Sequence, residues 1–137
     1  MPRERITLVW MNWTAAGAFA MALAVILGAF GAHGLQGRLD AYSMGVYEKA
    51  VFYHFVHALG LLLVSALRAA GAVSRSTAQW TCALLAAGIL IFSGSLYALA
   101  LTGNRTLGAI TPIGGASFIA AWLVLAICAL RSRPPAP

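Results

Sequence analysis

Charge is what this sequence has least of. Only 9% of its 137 residues are Asp, Glu, Lys or Arg, against roughly 25% in soluble domains, and that shortage excludes an ordinary water-facing surface. Glu4, Asp40 and Glu48 are the whole set of acids, and Lys49 is the only lysine. Cysteine is nearly absent. Cys82 and Cys128 are too few, and too deep in apolar runs, to build a disulfide framework, so they read as small packing residues. No internal repeat is visible, which argues against the inverted halves of a complete transporter. Strict alternation of polar and apolar positions is missing too, so the strands of a membrane barrel leave no signature.

What is present is long apolar runs: 61% of the chain is hydrophobic, well above the roughly 45–50% of soluble domains. Four of them are each about the ~20 residues that cross a bilayer, at approximately residues 8–32, 47–67, 80–101 and 110–130. The first follows a basic start and could imitate a signal peptide with Ala18-Phe19-Ala20 as its cleavage site. However, it continues to Ala32, beyond the ~7–15 residues of a signal core, and is expected to remain as a span. Trp10 and Trp13 stand where interfacial anchors sit. Gly17, Gly28 and Gly31 suit close helix contacts, and Gly34 is placed to cap the first helix in the left-handed conformation.

Between the first two runs, Leu35, Leu39, Tyr42 and Val46 recur at helical spacing among Gln36, Arg38, Asp40 and Ser43. That pattern predicts a short amphipathic segment on the membrane surface. Residues 68–79 and Thr102-Gly103-Asn104-Arg105 carry turn chemistry. Pro112 fits the first turn of the fourth helix, and residues 131–137 form a basic, proline-rich tail that cannot extend it. The expected fold is therefore all-α: a single transmembrane domain over residues 1–137, a polytopic up-down bundle of four helices.

A net charge of +6 would suit nucleic acid only if it formed one stripe, and these basic residues are scattered between apolar runs. They read as topology signals instead. Arg3, Arg5, Arg68, Arg75, Arg131 and Arg133 fall on one side, Arg38, Lys49 and Arg105 on the other, which predicts cytoplasmic termini by the positive-inside rule.

Folding the four spans up and down brings the polar residues to one depth, in the outer half. These are His33, Glu48, Lys49, Tyr53, His54, His57, Ser93, Ser95, Tyr97 and Thr111. Nothing about crossing a membrane requires that asymmetry, and ionisable groups inside spans often mark function. Lys49, Tyr53 and His57 are four apart and line one face, with Glu48 one residue ahead of that row. His57 lies roughly 15 Å below Tyr47 at the rise of an α-helix. It is expected at the centre of the cluster, with a hydrogen-bond partner among Ser93, Ser95, Tyr97 and Thr111.

No enzymatic constellation is legible: no serine has a histidine and an acid at recognisable spacing, and Gly28-x-x-Gly31-x-x-Gly34 follows no strand. His54 and His57 lack supporting thiolates or carboxylates and a CxxCH motif, so neither a metal nor haem is expected. Three readings remain: interhelical hydrogen bonds that fix the register of the bundle, a proton relay or small-solute path, and a small accessory or assembly protein docking through small-residue faces. The expected partners are the lipid bilayer and either another membrane protein or further copies of this chain, without nucleic acid.

At these same residues the chain resembles the domain-of-unknown-function family 423, the YgdD-like small inner-membrane proteins of bacteria. The resemblance is carried by Gly28-Ala-Phe-Gly31-Ala-His33-Gly34-Leu35, Tyr53-x-x-x-His57-Ala58, Phe92-Ser93-Gly94-Ser95-Leu96-Tyr97, and Thr111-Pro112-Ile113-Gly114-Gly115 followed by Trp122. It implies a four-span protein of the bacterial plasma membrane and no established reaction, cofactor or ligand.

Overall fold

The structure, a computed structural model, describes residues 4–132 and the side chains of residues 13–132. The expectations for Arg3, Arg133 and the proline tail lie outside the described residues, and those for Arg5 and Trp10 outside the described side chains. Helix α1, Glu4–Phe30, continues into a π-helical turn, Gly31–Leu35, and α2 runs over Ala41–Ala69. The third rod is continuous from α3, Arg75–Gly88, through a π segment, Ile89–Ser93, into α4, Gly94–Thr102. A 3-10 turn, Arg105–Ala109, leads to α5, Thr111–Arg131. All four rods are long and apolar enough to cross a membrane, and no strand occurs among the described residues.

Local chemistry sets the ends of these rods. Asp40 accepts from the Ser43 amide at 2.7 Å and Ser74 from the Thr77 amide at 3.1 Å, each occupying an otherwise orphaned first-turn donor. Pro112 stands in the first turn of α5, where its missing N–H costs nothing.

The connection from α1 to α2 is shorter than its amphipathic pattern suggests. Ala41 to Val46 already belong to α2, and only residues 36–40 lie between the two helices. The left-handed glycine is Gly37, at φ 78°, and not Gly34. Gly34 stays within the π turn, where a Cβ would collide with the Phe30 ring.

Helix α2 is the centre of the bundle, packing on α1, α3 and α4, while α5 packs mainly on α3. Lipid tails are as apolar as leucine, so close packing holds such helices together more than the hydrophobic effect does. The glycines serve it. Gly17 seats Leu61 and Leu62, Gly31 faces the Tyr47 ring, Gly60 meets Trp122, and Gly88 lies under Phe118. One buried cluster joins Leu61, Val64, Cys82, Leu85, Phe118 and Ala121; a smaller one joins Leu35, Tyr47 and Ala100 at the end away from the termini.

Candidate functional site

The buried face of α2 is the stripe Tyr47, Ala50, His54, His57, Ala58, Leu61 and Val64. Residues four apart rotate by about 40° per step at 3.6 residues per turn, so Lys49, Tyr53 and His57 drift steadily around the helix. The result is that Lys49 is exposed, Tyr53 half-buried and His57 buried. A seven-residue step drifts only about 20° the other way. Tyr47, His54 and Leu61 therefore share the interior where Lys49 does not.

Two hydrogen-bonded groups form at the end away from the termini. In the first, the Tyr47 hydroxyl donates to the Leu27 carbonyl of α1 at 2.6 Å, and its ring lies edge-on to Tyr97 with centroids 5.2 Å apart. Tyr97 Oη lies 3.2 Å from His54 Nδ1, within hydrogen-bond reach, and which of the two donates depends on the ring tautomer. This buried histidine thus ties α2 to α4.

The second group joins α4 to α5. Ser95 Oγ donates to the Phe92 carbonyl at 3.0 Å; with its one proton used, it accepts from Thr111 Oγ1 at 2.7 Å. One turn further on, Gly114 lets α5 lie directly on the Phe92 backbone, where an added Cβ would come within 2.7 Å of Phe92 Cα. The Phe92-to-Tyr97 and Thr111-to-Gly115 motifs are therefore the two sides of one contact.

His57 is elsewhere and differently held. Its Nδ1 donates to the Tyr53 carbonyl in its own helix at 2.7 Å. Its ring stacks on Phe118, centroids 3.5 Å apart and planes 11° off parallel, with Tyr53 and Trp122 nearby. What it finds on another helix is an aromatic face; the polar partner expected from Ser93, Ser95, Tyr97 or Thr111 is not among its hydrogen bonds in the described residues. The polar residues thus do not form one cluster centred on His57. Apolar walls suit a neutral imidazole better than an interhelical polar hub.

Three expected members of the cluster lie outside it. His33 is exposed on the π turn, and Glu48 and Lys49 are exposed on α2. Glu48 lines a groove between α1 and α2, and Lys49 lines one beside α4 and α5; neither groove includes His54, His57, Ser93, Ser95 or Tyr97. Ser93 is fully buried in the π segment, and its hydroxyl has no hydrogen-bond partner among the described residues; the same holds for Thr81 in α3. No group of three or more potential metal ligands occurs among the described residues.

Sequence reasoning missed three interhelical bonds: Tyr47 to Leu27, Trp13 Nε1 donating to Gln79 Oε1 at 2.9 Å, and Ser117 donating to the Leu84 carbonyl at 2.7 Å. The seven-residue step back from His54 was the signal for Tyr47. Nothing local marked the other two.

The family described as Protein of unknown function (DUF423) matches residues 27–115, a stretch that holds the Tyr47–Leu27, His54–Tyr97 and Ser95–Thr111 contacts. The chain is similar to the UPF0382 membrane protein SERP0230 of Staphylococcus epidermidis, 50% identical over 115 residues, covering 84% of this chain and 92% of that protein. It is similar also to the UPF0382 membrane protein YwdK of Bacillus subtilis, 47% identical over 117 residues, covering 84% and 93%. No solved structure matches the chain.

Proposed function

The chain belongs to the DUF423 family and is an integral membrane protein of four spans; from that premise we propose that it works as a small helical accessory or assembly component, without enzymatic activity. We place it in the bacterial inner membrane with both termini cytoplasmic. The observation that carries the accessory reading is the position of α1. This helix lies at the edge of the bundle, and Ala15, Ala18, Ala22 and Ala29 are exposed on it beside Phe19, Leu23 and Ile26. Small residues let a neighbouring helix approach closely in lipid. Gly17, Gly28 and Gly31 make close contacts with α2, so the docking face is the alanine side.

The interior adds support, because His54, Tyr97, Ser95 and Thr111 use their polar atoms on one another and on backbone carbonyls. A path for a solute would need such groups turned toward a cavity. The second reading, small-solute or proton-linked transport, is favoured by one observation, the buried Ser93 and Thr81 hydroxyls without partners among the described residues.

Affinity purification from mild detergent, in parallel for the wild-type chain and Ala22→Phe, separates the two readings. The accessory role predicts a stoichiometric membrane partner that the variant loses while remaining folded. Proton or solute flux in liposomes that Ser93→Ala abolishes, with no such partner, would replace that reading with transport.

A further inference from the structure

The groove that carries Lys49 has the form of a phospholipid site. It measures about 390 Å³ and runs between α2, α4 and the start of α5. Its body is apolar, walled by Val46, Phe92, Leu96 and Leu99, and its rim carries Tyr42 and Lys49. Over the Tyr42 ring lies a second cation, the Arg105 guanidinium, 5.4 Å from the ring centroid. Both cations stand near helix ends, Lys49 in the first turns of α2 and Arg105 in the turn before α5, the level at which headgroups meet hydrocarbon.

We propose that this groove holds one anionic phospholipid of the bilayer, its phosphate between Lys49 and Arg105 and an acyl chain along Leu96 and Leu99. Each feature points to that occupant over the alternatives. Lys49 has no ion pair with an acid of the described residues, since its neighbour Glu48 lines the separate groove toward α1. Arg105 acts electrostatically on the Asp40 carboxylate, which accepts from the Ser43 amide, but the two form no ion pair among the described residues. A second copy of the chain meeting this face about a two-fold axis would set its Lys49 and Arg105 against the same two residues, whereas a phosphodiester complements both. A lysine or arginine near the membrane surface attracts an anionic headgroup by about 1 kcal/mol. This inference is independent of the accessory role, because it concerns the α2, α4 and α5 side and not α1.

The test uses the full chain in detergent with equimolar phosphatidylglycerol and phosphatidylcholine of identical acyl chains, and native mass spectrometry reads the ratio of the two one-lipid adducts. The wild type should favour phosphatidylglycerol. Lys49→Gln and Arg105→Gln should each lower the ratio by about fivefold, the double variant should bring it close to one, and Lys49→Arg should retain it. Both side chains are exposed, so the variants should fold, which far-ultraviolet circular dichroism checks. Arg38→Gln removes a cation from the loop of residues 36–40 and should leave the ratio unchanged. Equal retention of the two lipids by the wild type, an unaltered ratio in the double variant, or an equal loss in Arg38→Gln would each overturn the site, as would a lipid-free dimer cross-linked through Tyr42→Cys.

Discussion

Adding a single methyl group at two adjacent glycines should have opposite effects. At Gly114 the new Cβ would meet the backbone of Phe92, within 2.7 Å of its Cα, and at Gly115 it would meet only the Phe92 ring at 3.6 Å. The second distance is ordinary contact; the first is not. Carbon atoms rest about 3.5–4.0 Å apart, so Gly114→Ala must drive α5 away from the π segment by roughly 1 Å. A backbone cannot swing aside as a side chain can. Overpacking of this kind costs about 1–3 kcal/mol. The same withdrawal stretches the 2.7 Å bond between Thr111 and Ser95, and polar contacts between membrane helices contribute about 0.6 kcal/mol on average. Against this stands a gain of up to ~1 kcal/mol from replacing glycine within a helix, which leaves Gly114→Ala destabilised by about 1–3 kcal/mol. Gly115→Ala keeps the gain alone and should be neutral or stabilised by up to ~1 kcal/mol.

The assay is unfolding of the purified chain in mixed micelles by increasing dodecyl sulfate, followed by circular dichroism and by fluorescence of Trp122 one side of the contact. Combining Gly114→Ala with Thr111→Val gives a second readout. If the helix has withdrawn, the hydroxyl pair is already broken and the second substitution should cost less than it does alone. Equal stability of Gly114→Ala and Gly115→Ala, within about 0.5 kcal/mol, would refute the claim that the glycine pair is needed for backbone approach at one position only.

Tyr97→Phe should destabilise by up to about 1.7 kcal/mol, because His54 Nδ1 loses its hydrogen-bond partner while the imidazole stays buried; the same micelle titration measures it, and no loss would mean that His54 is served from elsewhere. Asp40 carries a carboxyl below its ordinary value of 3.8, chiefly through the Ser43 amide hydrogen bond. A depressed folded value means that this stabilisation is complete above the unfolded value and disappears as pH falls through the folded one. The protection of the Ser43 amide against hydrogen exchange, relative to an unstructured amide at the same pH, should therefore be lost on acidification below pH 3.8, and Asp40→Ala should lack it at every pH. Ser93→Ala and Thr81→Val remove buried hydroxyls that have no partner among the described residues, so thermal melts should show neutral or raised stability; a loss above about 1 kcal/mol in either would reveal a bound water or ligand at that hydroxyl.

The spans were legible because a helix in lipid must satisfy its own backbone and can be apolar around its whole circumference. The same property hid the orientation of each residue. With no polar face to mark the solvent side, spacing alone points to the four-residue row of Lys49, Tyr53 and His57, and only packing shows that Tyr47, His54 and Leu61 share the interior. The cap at residues 34–37 was misplaced for a related reason. Gly34 and Gly37 both suit a helix end, but the π turn carries the chain past Gly34, and the close approach to Phe30 explains that glycine without a left-handed backbone. Depth alone groups His33 with the interior, since depth follows from residue count and direction does not, and the four-residue spacing that adds Lys49 and Glu48 drifts out of the buried face.

Depth also explains why the motifs gather at one end. Each interface between helices there is fixed by a polar contact: Tyr47 to Leu27 between α1 and α2, Tyr97 to His54 between α2 and α4, Thr111 to Ser95 between α4 and α5. Toward the termini the same task falls to Trp13 with Gln79 and to Ser117 with Leu84. Helices without a hydrophobic drive to associate need such contacts to choose one register among several of similar packing energy. The motif residues thus have sufficient reason to be where they are before any activity is assigned to them, and substituting them should lower the amount of folded protein. Lys49, Arg105 and the alanine side of α1 have no such reason, because the described interior would be complete without them. The information about what this protein binds therefore lies on its lipid-facing surface, where a loss of function can be separated from a loss of fold.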